Sequence, residues 1–250
     1  LLTRYRDLLA NDHGLLTRDP DGTPQYAFIH GNWALCNSLP DGSRCGVNEE
    51  LTVLKRTGCY ADMTMPAAPS PAQARTVNAI YYAKDIPGRP RGHDSGQRVI
   101  AGSPFESPDH LLMVQGPLAL NWRWRKAGIL PRVEHADLCG TNPPTPLRAD
   151  LWVRQHIHVT GQPNWIFVKL HTHGCKEENM QELLGEAMVS LHKCLAERYN
   201  DGTHHRLHYV TAREMVNIIH AAEAGETGNA GNYRNYRYPP PPVAGSVAQP

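Results

Sequence analysis

No apolar run in this 250-residue chain approaches the roughly 20 residues that a membrane-spanning helix needs. Charge of one sign is missing too: 25 basic side chains face 24 acidic ones, a formal net of +1. That chain-wide balance gives no reason to expect nucleic acid or a membrane as partner. The six cysteines (Cys36, Cys45, Cys59, Cys139, Cys175, Cys194) form no CxxC pair and no zinc-ribbon spacing. Dispersed cysteines of this kind are usually reduced and partly buried, although Cys36, Cys45 and Cys59 leave room for one bridge. No serine or cysteine sits in a GxSxG-type nucleophile turn, which argues against a serine esterase. No glycine-rich phosphate loop and no internal repeat is present. The chain also lacks an initiator Met, as a fragment or processed product would, and shows no signal peptide. With its dispersed cysteines, that favours a cytoplasmic location.

What is present is an ordinary globular composition, with 40% hydrophobic residues, and 21 Gly and 21 Pro that imply many loops. Apolar periodicity predicts helices over 1–10, 48–56, 147–155, 177–199 and 211–222. Asn48, followed by Glu49 and Glu50, reads as an N-cap, and Thr211 with Glu214 has capping-box spacing. Strands are expected at 26–30, 59–65, 110–115, 165–170 and 207–210, with a short strand or turn at 78–83. Trp122-Arg123-Trp124 suits loop packing or carbohydrate stacking. Strands alternating with helices imply α/β architecture with a mostly parallel sheet. About five strands are too few for a closed eight-stranded barrel. Residues 1–228 read as one domain and 229–250, with YPPPP, as a Pro-rich extended tail.

The most informative stretch is WIFVKLHTHG, Trp165 to Gly174. An apolar run ends in His171 and His173, and α/β folds do their chemistry beyond the carboxyl ends of strands. The i, i+2 spacing puts both imidazoles on one side of an extended chain. The plain alternative is that they only hydrogen-bond neighbouring loops. His30 closes the run YAFIH, and Asp62 lies in CYADMT, where such an aspartate as readily caps a loop. Asn32 and Trp33 follow His30; Trp33 can stack on a sugar ring or pack in the core, and Asn32 can serve a turn. His156 and His158 form a second i, i+2 pair, but after a helix rather than an apolar strand.

Three segments in order, FIHGNWA with NEELTVLKRTG and CYADMT, then FVKLHTHG, then HYVTAREM, resemble the polysaccharide deacetylases, the NodB-like carbohydrate esterases. The chain is most similar to a bacterial branch with HGNWAL, GCYADxT and HTHG segments. The resemblance covers about three quarters of the chain. It implies a distorted or incomplete (β/α) barrel and deacetylation of an acetylated polysaccharide or oligosaccharide. It assigns His171 the role of general acid.

The family's first two motifs, which supply an aspartate base and metal ligands, are missing from the 27 residues before Phe28. Lost first strands would leave a sheet edge unpaired, and exposed edges recruit other chains, which leaves room for a homodimer. The resulting expectation is a divalent metal, zinc by preference, held by His171, His173 and His30. Asp62 joins His171 as a catalytic group, and His30, Asn32 and Trp33 touch substrate. Two histidines with a carboxylate would suit a catalytic zinc with an open position. Two other readings stand beside this one. One is a non-catalytic carbohydrate-binding relic. The other is a different hydrolase, an esterase or glycosidase, using the same strand ends.

Overall fold

Short, continuously buried runs, CYAD, IYYA and LLMV, build the centre of the sheet. The computed structural model describes residues 1–174 and 176–242. Helix α1 (Leu2–Asp7) continues into a π-helical turn, and strands β1 (Thr17–Arg18) and β2 (Pro24–Phe28) follow. Next come α2 (Glu50–Arg56), β3 (Cys59–Asp62), β4 (Ile80–Ala83), β5 (Gln97–Arg98) and β6 (Leu111–Val114). A hairpin of β7 (Ala119–Lys126) and β8 (Leu130–Glu134) precedes helices α3 (Pro146–Arg154), α4 (Glu177–Leu184), α5 (Glu186–Tyr199) and α6 (Ala212–Glu223).

The six-stranded sheet has the order β1-β2-β3-β6-β4-β5, and β7–β8 stands apart as a second sheet. Only β2–β3 and β3–β6 pair in parallel. The β1–β2, β4–β6 and β4–β5 pairs are antiparallel. The expected mostly parallel, incomplete (β/α) barrel is therefore corrected: this is a mixed sheet, and no barrel closes. The connections supply the reason. Parallel neighbours need a crossover, usually helical, and α2 supplies one between β2 and β3. The helix-free stretch 63–79 brings β4 back antiparallel instead.

Side-chain alternation divides the core between the two faces of the sheet. Ile80, Tyr82, Leu112 and Val114 point to one side, where α6 covers them with Val216, Ile219 and Ala222. Tyr81, Ala83, Leu111 and Met113 point to the other, against Leu51 and Leu54 of α2. A third cluster, Ala136, Leu138, Ala149, Trp152 and Leu191, joins α3 and α5 to the loop after β8.

Several local expectations change. Ile166–Leu170 forms no ladder strand: Phe167 N–H donates to Ile157 O at 2.8 Å, and pairing resumes only at an isolated bridge, Asp137 with His171. An apolar run reports burial, and Phe167 and Trp165 are indeed in the core, but not a ladder partner. Residues 207–210 form no strand either. The 177–199 helix breaks at Gly185, which takes an extended conformation and starts α5. Glu49 rather than Asn48 precedes α2, because the Asn48 side chain accepts from the Asn37 amide at 3.0 Å. The Thr211–Glu214 capping box is present on α6.

Beyond residue 229 the chain stays on the domain. Asn217 of α6 donates to the carbonyls of Arg234 and Tyr238 and accepts from the Arg237 and Tyr238 amides. Tyr238 stacks on Tyr60 at 4.6 Å. The last part of the expected tail, 243–250, lies outside the described residues. Cys36, Cys45, Cys59, Cys139 and Cys194 are free thiols. No helix among the described residues is long and apolar enough to cross a membrane.

The junction between β8 and α3 carries a buried ion pair. Arg148 Nε and Nη2 meet the two Glu134 oxygens at 2.7 and 2.8 Å, and both residues are buried. Removing one partner of such a pair strands the other charge, so Arg148→Ala should lose about 3–5 kcal/mol in denaturant unfolding. Burial pushes the Glu134 carboxyl up, but Arg148, the Trp152 indole N–H and the Ala136 amide outweigh it and hold the group below its usual 4.5. A depressed carboxyl stabilises the fold above its unfolded value and ceases to do so as pH falls through its lower folded value. Stability should therefore drop as the solution is acidified below about pH 4.5, with a smaller drop in Glu134→Gln, read from unfolding curves across that range.

Candidate metal centre

The β8–α3 loop is built around Arg148. Besides the two bonds to Glu134, its guanidinium donates to the carbonyls of Asn142, Pro143 and Asp137 at 2.6, 2.8 and 2.6 Å. All five of its donors are thus used. Glu134 also accepts from the Ala136 amide and the Trp152 indole, both at 2.9 Å. These bonds fix the segment His135-Ala136-Asp137 immediately after β8.

The HTHG segment is tied to that loop. His171 N–H donates to Ala136 O at 3.2 Å, Leu138 N–H to His171 O at 2.9 Å, and the Thr172 hydroxyl to Leu138 O at 2.7 Å. Gly116 is needed beneath it, since a Cβ there would lie 2.5 Å from Lys169 O. His135, Asp137 and His171 then offer ligand atoms that all lie within 4.8 Å of one another. The His135 and His171 rings stack with centroids 6.0 Å apart.

Three polar atoms of this group are buried without partners among the described residues: both His171 ring nitrogens and Asp137 Oδ1. His171 Nε2 and Asp137 Oδ1 are 3.8 Å apart. That is too long for a hydrogen bond and short enough for both to share one ion with bonds of about 2.0–2.2 Å. Asp137 Oδ2 accepts from the Cys139 thiol at 3.2 Å, which orients the carboxylate. Burial, then the Lys169 ammonium, push His171 down to about 4, so its ring is neutral at neutral pH and one of its two nitrogens has a lone pair free for an ion. Burial lowers His135 as well.

A second group, His30, Cys45 and Glu50, also brings three ligand atoms within 4.8 Å. Some of its atoms are already engaged. The Cys45 thiol donates to Glu50 Oε2 at 3.2 Å, and the Cys36 amide donates to the same oxygen at 2.8 Å. Asn32 N–H donates to His30 Nδ1 at 3.3 Å, which places the ring proton of neutral His30 on Nε2, the atom facing Glu50. Burial pushes the Cys45 thiol up, which opposes the thiolate a metal needs. Among the described residues two candidate ligand groups therefore exist, and the His135 group is the one with ligand atoms that are both buried and unpartnered.

The expected ligand set is thus regrouped. His171 and His30 belong to different groups, and His173 belongs to neither. His173 is exposed, its carbonyl held by the buried Asn179 amide at 3.0 Å, with its ring edge-on to Trp33 at 6.5 Å. Asp62, expected to be catalytic, is 1% exposed and in neither group. Its oxygens accept from the Thr64 amide and hydroxyl at 3.0 and 2.7 Å, the loop-capping role. The Thr64 hydroxyl in turn accepts from His30 N–H at 2.8 Å. Burial raises Asp62 to about 7 and lowers the neighbouring Lys169 to about 8; Lys169 donates to Met63 O at 2.8 Å. Asn32 is exposed and Trp33 half-buried with φ of 58°, both on the loop after β2. His156 and His158 face backbone carbonyls of Pro163 and His156 in a surface loop.

His135 and Asp137 were not among the residues singled out from the sequence. The signal was available: RVEHAD ends an alternating run in a His-x-Asp pair with the same i, i+2 spacing as HTH. No protein-family model matches the chain, and no curated protein or solved structure matches it either. The likeness to polysaccharide deacetylases therefore rests on its motif segments alone.

An ion that binds only the folded chain stabilises it by about 2.7 kcal/mol at 100-fold excess over Kd. A divalent transition-metal ion should give a gain of that order in unfolding experiments. His171→Ala and Asp137→Ala should abolish the gain, and Cys45→Ala should leave it intact. The reverse pattern would move the ion to the His30 group.

Proposed function

We propose that this chain is a metal-dependent hydrolase whose ion is held by His135, Asp137 and His171, and whose substrate is an acylated carbohydrate. The observation that carries the proposal is the convergence of unpartnered, buried ligand atoms on His171 and Asp137 beside His135. Desolvated donors without partners are costly, and an ion removes that cost. Two imidazoles with one carboxylate are the donor set of catalytic zinc sites that keep an open position. When bound there, such an ion supplies Lewis acidity and an activated water near neutral pH.

The chain's own residues supply the remainder. Arg148 and Glu134 keep the 135–137 segment rigid, so the ligand atoms meet an ion without rearrangement. Cys139 directs one Asp137 oxygen away and leaves Oδ1 facing His171. Amide or ester cleavage also needs a proton on the departing nitrogen or oxygen. With His171 engaged as a ligand, that role passes from His171 to His173, the exposed imidazole two residues on, whose backbone Asn179 holds in place. Trp33, edge-on to His173, offers an aromatic wall for a sugar ring.

Release of acetate from acetylated chito-oligosaccharides and acetylated xylan, with and without chelator, tests the reading. His171→Ala and Asp137→Ala should match the chelated wild type. His173→Ala should keep the ion but lose roughly 10²–10⁴ in rate. Cys139→Ala should weaken metal binding by about 10–100-fold, as loss of a group that orients a ligand does. Binding of the ion with no turnover on any acylated sugar would remove the hydrolase reading in favour of a carbohydrate-binding relic.

A further inference from the structure

The β7–β8 hairpin gathers what the chain-wide charge balance conceals. Between residues 119 and 134 stand Arg123, Arg125, Lys126 and Arg132, and the one carboxylate is Glu134. Glu134 is buried on Arg148, so it neutralises none of them. No salt bridge engages any of the four among the described residues; Arg125 donates to Trp122 O, and Arg132 donates to Thr141 O while lying 4.0 Å over the Trp124 ring.

The same hairpin exposes large apolar side chains, Ile129 and Leu130 at its tip and Leu120 and Trp122 along β7. Ile129 is 75% exposed, Leu130 64%, Trp122 58% and Leu120 53%. The turn is built by Ala127 and Gly128, both at positive φ, which suits the twist of a tight hairpin. A bulge between Asn121 and Arg125 re-aims the Trp-Arg-Trp run: the buried Asn121 side chain accepts from the Arg123 and Trp124 amides at 3.2 and 3.0 Å. The fold thus spends a buried asparagine on presenting these residues outward.

We propose that this hairpin is a docking arm for an anionic lipid bilayer. Aliphatic residues at the tip enter the acyl boundary, tryptophans sit at headgroup level, and the four cations face lipid phosphates. The tip decides between partners. An acidic polysaccharide would use the tryptophans and arginines but offers nothing to Ile129 and Leu130, whereas hydrocarbon does. The proposal does not depend on the ion or on any hydrolytic activity. It places the His135 group, which begins at the residue after β8, close to the attachment point of the arm.

Vesicle sedimentation of the full 250-residue chain tests it. Wild type should bind phosphatidylcholine vesicles containing about one third phosphatidylglycerol, bind pure phosphatidylcholine far more weakly, and detach as salt rises. Binding should shift tryptophan emission to the blue. Ile129→Ser with Leu130→Ser should weaken binding at least roughly ten-fold with an unchanged circular dichroism spectrum, since both side chains are exposed. Arg123→Glu with Arg125→Glu should weaken it similarly, whereas the Arg→Lys pair should retain it, because a diffuse charged surface needs no bidentate geometry. Failure of wild type to bind anionic vesicles would overturn the proposal, as would full binding by the Ile129→Ser/Leu130→Ser chain. Binding to a soluble acidic polysaccharide but not to vesicles would also overturn it and give the hairpin to a sugar polymer.

Discussion

The buried Arg148–Glu134 pair is the constraint on which the candidate centre depends. Its worth lies less in the ion pair than in what else the two groups hold. Arg148 gathers three carbonyls of the loop that follows β8, and Glu134 takes the Ala136 amide and the Trp152 indole. A loop of that length would otherwise have to satisfy these backbone groups with water. Satisfied internally, it can pack against Trp152 and Leu191 and present His135 and Asp137 from fixed positions. A buried pair often contributes little net stability against an apolar replacement. Here its product is a shaped loop, which an apolar pair could not provide because it has no donors for the carbonyls.

The two ligand groups differ in a way that composition alone would not reveal. Each has three residues of suitable type within reach of one ion. In the His30 group the thiol, the carboxylate and the imidazole already bond to one another or to backbone amides. An ion that takes the thiol there must displace its bond to Glu50 and remove a proton that burial makes harder to lose. In the His135 group both His171 nitrogens and Asp137 Oδ1 are buried and, among the described residues, have no bonds to displace. Unsatisfied polar atoms in a folded interior call for a ligand or a function. That difference, rather than ligand count, ranks the two groups.

How much was legible in the sequence follows the range of the interactions involved. The capping box on α6 and the apolar runs of β3 and β6 are local signals and lie where periodicity places them. The apolar run before His171 marks a buried segment, yet its ladder is missing because pairing depends on neighbours distant in sequence. The direction of β4 is likewise set by the path of its connection. At the site, His171 was recognisable from its position after an apolar run, but its partners were not His30 and His173. They come from the loop after β8, brought in by a single parallel bridge between Asp137 and His171. His-x-Asp in RVEHAD carried the pattern needed, but lacked the long apolar approach that drew attention to HTHG. Asp62 shows the opposite case: a strand-end aspartate whose oxygens Thr64, two residues on, uses completely.

Strand β8 links the two surfaces on which function is proposed. Its outer end carries Leu130 and the tip, its inner end carries Glu134, and His135 is the next residue. The root of this strand is held in place, because its ladder to β7 fixes direction and its last residue is locked by Arg148. The exposed apolar tip and the ligand group at the root therefore have different requirements: one must reach a partner outside the fold, the other must keep its atoms in place. Separating them along a hairpin anchored at its root lets the exposed end change its surroundings without disturbing the ligand atoms at the other. A flexible loop carrying the same residues would meet the first requirement but fail the second, since any motion at the tip would reach Asp137.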